Sequence, residues 1–287
     1  MHATRLDGKA LSLAIEADIQ QTIQQQLSKG HRAPGLTVVL VGEDPASRIY
    51  VRRKQVACER VGIQSTRLQN PVTLSEPALL NLITELNHDT AVDGILVQLP
   101  LPPHINVARV LDSIDPAKDI DGFHPQNLGK LAQGRPQFRA CTPYGVMMLL
   151  ETLKIDLSGL HAVIVGASNI VGKPMALELL QAKCTVTLCH IATRNLQQHI
   201  QQADLLVSAI GKPNIIQSDW IKIGAIVIDV GINRRSDGAI TGDIDFKTAE
   251  MRAQAITPVP GGVGPMTVAM LLKNTLQSYQ AHLDCAT

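Results

Sequence analysis

His161-Ala162-Val163-Ile164-Val165-Gly166-Ala167-Ser168-Asn169-Ile170-Val171-Gly172-Lys173-Pro174 reads as a short apolar strand, a glycine turn and the opening of a helix. A wholly apolar run stopped by glycine is the pattern of a strand buried on both faces, as in a parallel sheet. Gly166 permits the sharp bend, and Ala167 and Ser168 are small enough for the backbone to approach a pyrophosphate. The helix opening at Val171 and Gly172 would present free N–H groups to that anion. The stretch is not Gly-x-Gly-x-x-Gly, because Ser168 stands at the second glycine and Gly172 comes one residue late. Its strand–turn–helix setting still points to a bound dinucleotide rather than a bare structural turn.

The strand signal repeats at 185–189, 205–210 and 225–230, with helical stretches between. That is a βαβ series of the doubly wound, Rossmann-like kind. An acid after the second strand would hold the ribose hydroxyls of NAD. The chain has Cys189-His190-Ile191-Ala192-Thr193-Arg194 there, with no acid. His190, Thr193 and Arg194 could meet a 2′-phosphate, which favours NADP over NAD. Alternatively, His190 and Thr193 cap the following helix.

Upstream the same alternation continues. Helical patterning over 11–27 stops at Gly30, and Leu36-Thr37-Val38-Val39-Leu40-Val41-Gly42 reads as a buried parallel strand. Asp44-Pro45 is expected to open a helix that ends near Gly62. A short strand around 65–68, a helix from Ser75-Glu76-Pro77 to about His88, and a third strand at Gly94 to Pro100 follow. Between Asp115 and Pro143 turn formers dominate, and this segment reads as a long crossing loop that lines a cleft between two domains. A helix over 143–154 precedes the Gly166 stretch, and a last helix begins at Gly264 and runs to about Ala281. The fold class is therefore α/β: two α/β layer domains, the second doubly wound and Rossmann-like, with a cleft between them. Residues 1–140, completed by 265–287, form the first domain and 141–264 the second.

Composition agrees. The chain has 287 residues, 45% hydrophobic, 18% charged and only 2% aromatic, so its core is built from Val, Ile, Leu and Ala. A net charge of +1 argues against a nucleic-acid partner. The first residues lack the apolar core of a signal peptide, and no apolar run approaches the roughly 18 residues of a membrane helix. The five cysteines contain no Cys-x-x-Cys and read as reduced, buried residues of a cytoplasmic protein. The nine histidines show no metal-ligand spacing, so no metal site is expected.

Chemistry is carried by Tyr50-Val51-Arg52-Arg53-Lys54. Four-residue spacing puts a phenol and an amine on one helix face, one turn apart. One can hold a flat substrate and the other can move a proton. Short-chain dehydrogenases also use Tyr-x-x-x-Lys, but downstream of their glycine turn. Here the pair comes first, so chemistry and cofactor belong to different domains. Arg52 and Arg53 read as a solvated helix face.

The chain resembles the bifunctional methylenetetrahydrofolate dehydrogenase/cyclohydrolase family. The resemblance rests on Tyr50 to Lys54, Gly94-Ile95-Leu96-Val97-Gln98-Leu99-Pro100-Leu101-Pro102, Lys118-Asp119-Ile120-Asp121-Gly122, Cys141-Thr142-Pro143-Tyr144-Gly145, the Gly166 turn, and Thr257-Pro258-Val259-Pro260-Gly261-Gly262-Val263-Gly264-Pro265-Met266-Thr267. It implies two linked reactions: 5,10-methylenetetrahydrofolate is oxidised to 5,10-methenyltetrahydrofolate with NADP, and that cation is hydrolysed to 10-formyltetrahydrofolate. It further implies a place in one-carbon metabolism, tetrahydrofolate interconversion and purine biosynthesis, and a homodimer joined through the cofactor domain.

By the same resemblance Lys54 is the catalytic amine, Tyr50 stacks on the folate, Gln98 bonds toward Lys54, and Asp121 grips the pterin edge. Pro260 and Gly261 lie along the folate, while Gly166, Ser168 and Ile232 contact the cofactor. A lysine base must be partly neutral, which burial and a cationic substrate both encourage. An amide can hold it without adding charge, and a carboxylate suits the donor-rich edge of a pterin. The chain departs from many relatives at Ala167, where they carry Arg, and at Ile191 and Ala192, where they often carry a basic residue or serine. Arg194 is then the candidate cation for a 2′-phosphate. Two rival readings are a dehydrogenase without hydrolysis and a non-catalytic dinucleotide sensor. The joint presence of Lys54, Gln98 and Asp121, and the absence of a basic nucleic-acid-binding module, speak against them.

Overall fold

Buried parallel strands flanked by helices make two α/β units. A computed structural model describes residues 3–286 apart from Asp44 and Ser236, with backbone alone at 45–50, 285 and 286. One unit takes Leu13–Arg139 with Val268–Thr287, and the other takes Met1–Ser12 with Ala140–Thr267. Two of the three divisions fall inside helices α1 (Gly8–Ser28) and α10 (Val263–Ala286), and the third falls between Arg139 and Ala140.

The unit built mainly from 13–139 holds a three-stranded parallel sheet. β2 (Gly35–Val41) lies between β3 (Gln64–Asn70) and β4 (Gly94–Val97), in register Val38↔Arg67 and Val38↔Leu96. β2 and β4 are buried throughout, as an apolar run between helices requires. β3 is the half-exposed edge strand, which explains its mixed composition. Helix α2 (Pro45–Val61) follows β2, although its expected Asp44 cap lies outside the described residues. Helix α3 (Glu76–His88) begins where expected: Ser75 accepts from the Ala78 N–H and Pro77 sits in the first turn. Its Leu79, Ile83 and Leu86 stripe packs in one cluster with Val39, Ile95 and Val97, and with Val110 of α4 (Val107–Asp112).

The stretch expected to be loop from Asp115 to Pro143 contains α5 (Pro125–Ala132) and the start of α6 (Cys141–Glu151). Pro125 occupies the first turn of α5, where its missing N–H costs nothing, and the His124 ring accepts from the Gln126 N–H. Gly129 looked like a breaker, but the eight-residue helix tolerates it because Asn127 is pinned to Pro116 O and Asp119.

The other unit carries a six-stranded, wholly parallel sheet of order β1-β11-β8-β7-β5-β6. Its strands are β1 (Thr4–Arg5), β5 (His161–Val165), β6 (Thr185–Cys189), β7 (Leu205–Ser208), β8 (Ile226–Asp229) and β11 (Ala255–Ile256). Helices α7 (Gly172–Gln181), α8 (Leu196–Gln201) and α9 (Phe246–Glu250), with a 3-10 turn at Ser218–Trp220, connect them. A small antiparallel hairpin pairs β9 (Asn233–Arg234) with β10 (Ile240–Thr241). Strands β1 and β11 were not expected, since two residues give no readable period. Val163, Val165, Leu206, Val227 and Ile256 build the core on one side of the sheet. No helix among the described residues is long and apolar enough to cross a membrane. Cys58, Cys141, Cys184 and Cys189 are buried thiols, as expected.

Candidate active site

Lys54 stands on α2 and Gln98 just beyond the end of β4. The Gln98 N–H donates to Val39 O, extending the sheet by one bond and fixing where its side chain departs. The half-buried Lys54 then donates from Nζ to Gln98 Oε1 at 3.4 Å, and Gln98 Nε2 donates to Leu99 O at 2.7 Å. Tyr50 lies one turn before Lys54 on α2, with its side chain outside the described residues. Arg52 and Arg53 are exposed.

The Lys118 to Gly122 segment runs beside β4 through an Ile95↔Asp119 bridge. Its charged residues divide the work. Lys118 Nζ donates to Leu86 O and Asp89 O, closing the C-terminal end of α3. Asp119 accepts from the Phe123 and His124 N–H groups and from Asn127, so it builds the turn into α5. Ile120 fills the core, and a Cβ at Gly94 would meet it at 2.9 Å. Asp121 makes no hydrogen bond to a described residue. Burial pushes its carboxyl up to about 6, opposed by the nearby Lys54 ammonium and assisted by Asp119. The segment thus brings a carboxyl into electrostatic reach of the Lys54 amine while its other charges serve the fold.

Sequence reading missed Asn274 of α10. Its buried Nδ2 donates to Ile120 O at 2.8 Å and to Arg139 O at 3.0 Å, tying down the residue before Asp121. The one available signal was a polar residue close behind the apolar run Val268 to Leu272, which must find partners when buried.

In the other unit, Gly166 follows β5 with φ +121°, and its Cβ would lie 2.2 Å from Ala209 O. A Cβ at Gly172 would lie 1.8 Å from Gly166 O. Glycine alone fits at both, leaving a bare backbone turn at the C-terminal edge of a parallel sheet, where a dinucleotide pyrophosphate binds. Ser168 Oγ accepts from the Val171 N–H at 3.1 Å and from Gly172 at 3.4 Å. These N–H groups, expected to be free, are thus already capped.

His190 and Thr193 close a turn on each other. The His190 N–H donates to Thr193 Oγ1, Thr193 N–H to His190 O, and Ala192 N–H to His190 Nδ1. They do not cap α8, whose N-cap is Asn195. Ile191 is fully exposed, and Arg194 is exposed without a described partner. Ile232 follows β8, and a Cβ at Gly264 would lie 3.8 Å from its tip. Pro260 and Gly261 belong to this unit too, in the loop between β11 and α10: Gly261 O accepts from Lys9 N–H, and Gly262 N–H returns to Pro258 O. Among the described residues no three His, Cys, Asp or Glu are placed to hold a metal.

A glycine turn on a doubly wound sheet, together with an α/β unit carrying an amine, an amide and a perturbed carboxyl, defines a two-domain α/β oxidoreductase. Residues 140–283 match the NAD(P)-binding domain of tetrahydrofolate dehydrogenase/cyclohydrolase, and residues 6–121 match its catalytic domain. The bifunctional FolD methylenetetrahydrofolate dehydrogenase/cyclohydrolase of Campylobacter jejuni is 51% identical, with a TM-score of 0.95 over 97% of this chain and 99% of that one. The methylenetetrahydrofolate dehydrogenase of the silkworm Bombyx mori is 43% identical, with a TM-score of 0.93 over 98% of this chain and 99% of that one. The Trypanosoma brucei dehydrogenase-cyclohydrolase, solved with NADP and an inhibitor, is 36% identical, with a TM-score of 0.94 over 99% of both chains. The chain belongs to the tetrahydrofolate dehydrogenase/cyclohydrolase family and is an enzyme with methylenetetrahydrofolate dehydrogenase/cyclohydrolase activity.

Proposed function

We propose that the enzyme oxidises 5,10-methylenetetrahydrofolate to 5,10-methenyltetrahydrofolate with NADP and then hydrolyses that cation to 10-formyltetrahydrofolate. The observation that carries the reading is the Lys54 amine held by the Gln98 amide within electrostatic reach of Asp121, whose carboxyl is pushed up to about 6.

NADP, when bound, accepts the hydride that leaves the methylene bridge. This chain's residues supply the rest. Gly166, Ala167, Ser168, Val171 and Gly172 would line the pyrophosphate, with Ser168 Oγ giving up the Val171 and Gly172 N–H groups to it; His190, Thr193 and Arg194 would line the adenosine end, and Ile232 the nicotinamide end. Tyr50 stacks on the folate, and Pro260 and Gly261 line it. Asp121 accepts hydrogen bonds from the pterin amino and N3–H edge, which offers donors only to an acceptor. In the second reaction water adds to the methenyl carbon, the carbon–nitrogen bond of the ring opens, and one proton is released. Lys54 moves that proton, and Gln98 orients its amine without adding a charge beside a cation.

The folate-binding domain is then the unit of 13–139 with 268–287, and the NADP-binding domain is the unit of 140–267, which also takes residues 1–12 that were expected in the folate domain. The outer strand β6 leaves a sheet edge on which a second copy could pair, which supports a homodimer through the cofactor domain. We place the enzyme in the cytoplasm, in one-carbon metabolism that feeds purine biosynthesis.

An absorbance assay with 5,10-methylenetetrahydrofolate, run with NADP and with NAD, tests the reading. Faster reduction of NADP followed by methenyl decay is expected, and no reduction of either cofactor would overturn it. A chain that sediments as a monomer at micromolar concentration would remove the dimer.

A further inference from the structure

Two buried carboxylates stand behind the loops that follow β7 and β8, and no step above uses them. Asp229 ends β8 and Asp243 follows β10, at 4% and 0% exposure. Asp243 Oδ2 accepts from Ser208 Oγ at 3.0 Å and from the N–H groups of Ile210 at 2.9 Å and Gly211 at 3.1 Å. Its Oδ1 accepts from Asn233 Nδ2 at 2.9 Å. Asp229 Oδ1 accepts from the Gly231 N–H at 2.9 Å and the Asp243 N–H at 3.0 Å, and Oδ2 from the Ile244 N–H at 2.9 Å. The fit is reciprocal. A Cβ at Gly231 would lie 2.1 Å from Asp243 Oδ1, and one at Gly242 2.1 Å from Asp229 Oδ2.

The placement matters. Strands β5, β7 and β8 are neighbours, so the segments after them lie side by side at one edge of the sheet. Gly166 packs against Ala209 O, the residue before the pair that Asp243 holds. Ile232 sits between Gly231, tied to Asp229, and Asn233, tied to Asp243.

We infer that Asp243, itself held by Asp229, is a positioning residue for the bound dinucleotide: it sets the Ile210-Gly211 loop and the Ile232 segment against the Gly166 turn. This rests on reading that turn as the cofactor site. A carboxylate suits the task because it only accepts, and every group aimed at Asp243 Oδ2 donates. An asparagine there would turn its own N–H groups toward those donors or leave some of them unpaired. Burying two carboxylates together is a poor way to stabilise a fold. Burial pushes Asp229 up to about 6 despite the N–H groups of Asp243, Ile244 and Gly231 that favour its ionised form. The geometry that the pair fixes explains its presence better.

The test uses the full chain carrying Asp243→Asn, measured three ways: calorimetric binding of NADP, dehydrogenase kcat and KM, and hydrolysis of supplied 5,10-methenyltetrahydrofolate without cofactor. Loss of charge-assisted hydrogen bonds should raise the NADP Kd and KM by about tenfold or more. Hydrolysis should fall far less than dehydrogenation. Equal losses in both reactions, or unchanged NADP binding, would overturn the inference. If Asp243→Asn does not fold, Asn233→Ala removes one donor and should weaken NADP binding severalfold in the same selective way; an unchanged Kd there also counts against it. A wild-type chain that reduces neither cofactor would instead defeat the proposed reaction and leave the NADP binding comparison to decide this point.

Discussion

Lys54 and Gln98 meet amine to amide oxygen at 3.4 Å, and the other end of the same amide is anchored on Leu99 O at 2.7 Å. Anchoring fixes which atom of the amide faces the amine: with Nε2 committed to a carbonyl, only the acceptor is left for Lys54. Lys54→Met should therefore leave NADP binding intact while methenyl hydrolysis falls by about 100-fold to 10,000-fold, the range for losing a positioned proton carrier. Hydrolysis followed by loss of methenyl absorbance decides this. Wild-type turnover in the variant would take Lys54 out of the chemistry.

The folate contact proposed for Asp121 comes with a cost to the fold. Its folded-state pKa of about 6 lies above the ordinary carboxylate value of 3.8, so ionising it is harder in the folded chain than in the unfolded one. The folded state holds the proton longer, so stability falls as pH rises from about 3.8 to about 6 and is flat above that window. Asp121→Asn removes the effect. The ligand-free variant should be more stable than wild type at pH 8 by an amount on the order of 2–3 kcal/mol, with little difference below pH 4. Folate KM should rise at the same time. Chemical denaturation at both pH values, beside folate kinetics, checks the pair of effects. A variant less stable at pH 8 would contradict the assigned direction.

These two residues also show what a sequence discloses. The Gly166 turn, β2 and α3 were legible because their signals are local: a glycine after an apolar run, the run itself, and a Ser-x-Pro helix start. Within Lys118-Asp119-Ile120-Asp121 the charges look alike on paper. Tertiary partners separate them: Lys118 closes α3, Asp119 builds a turn, and Asp121 comes within electrostatic reach of Lys54. Helix α5 was hidden because Gly129 reads as a breaker until Asn127 is seen pinned to Asp119. Strands β1 and β11, two residues each, exist only through pairing with distant segments: β1 pairs with β11 as Thr4↔Ala255, and β11 with β8 as Ala255↔Ile226.

Asn274 carries a prediction of the same tertiary kind. Its side chain donates from a buried position on α10 to Ile120 O, one residue from Asp121. Asn274→Ala removes that donor from a buried site, which costs about 1–3 kcal/mol. For a chain of this size the melting temperature should drop by roughly 2–4 °C per kcal/mol. Folate KM should rise because the Asp121 backbone loses its tether, while the calorimetric Kd for NADP stays at the wild-type value. Lower stability with unchanged folate KM would reduce Asn274 to a structural role.

Cofactor choice turns on what stands after β6. Thr193 Oγ1 accepts from the His190 N–H and His190 Nδ1 from the Ala192 N–H, while Ile191 is apolar and wholly exposed. No acid is present between Cys189 and Arg194 to favour a free ribose hydroxyl. On the proposed reading the exposed guanidinium of Arg194 meets the 2′-phosphate, an interaction worth about 1.5–3 kcal/mol when charge-assisted. Arg194→Ala should weaken NADP about tenfold or more and leave NAD affinity where it was, narrowing the preference. Ile191→Arg should act in the opposite sense, adding a second cation on the same turn. Calorimetric titration of both variants with both cofactors separates the outcomes. Equal changes for NADP and NAD would mean that Arg194 reads no phosphate and that the preference is set elsewhere in the NAD(P)-binding unit.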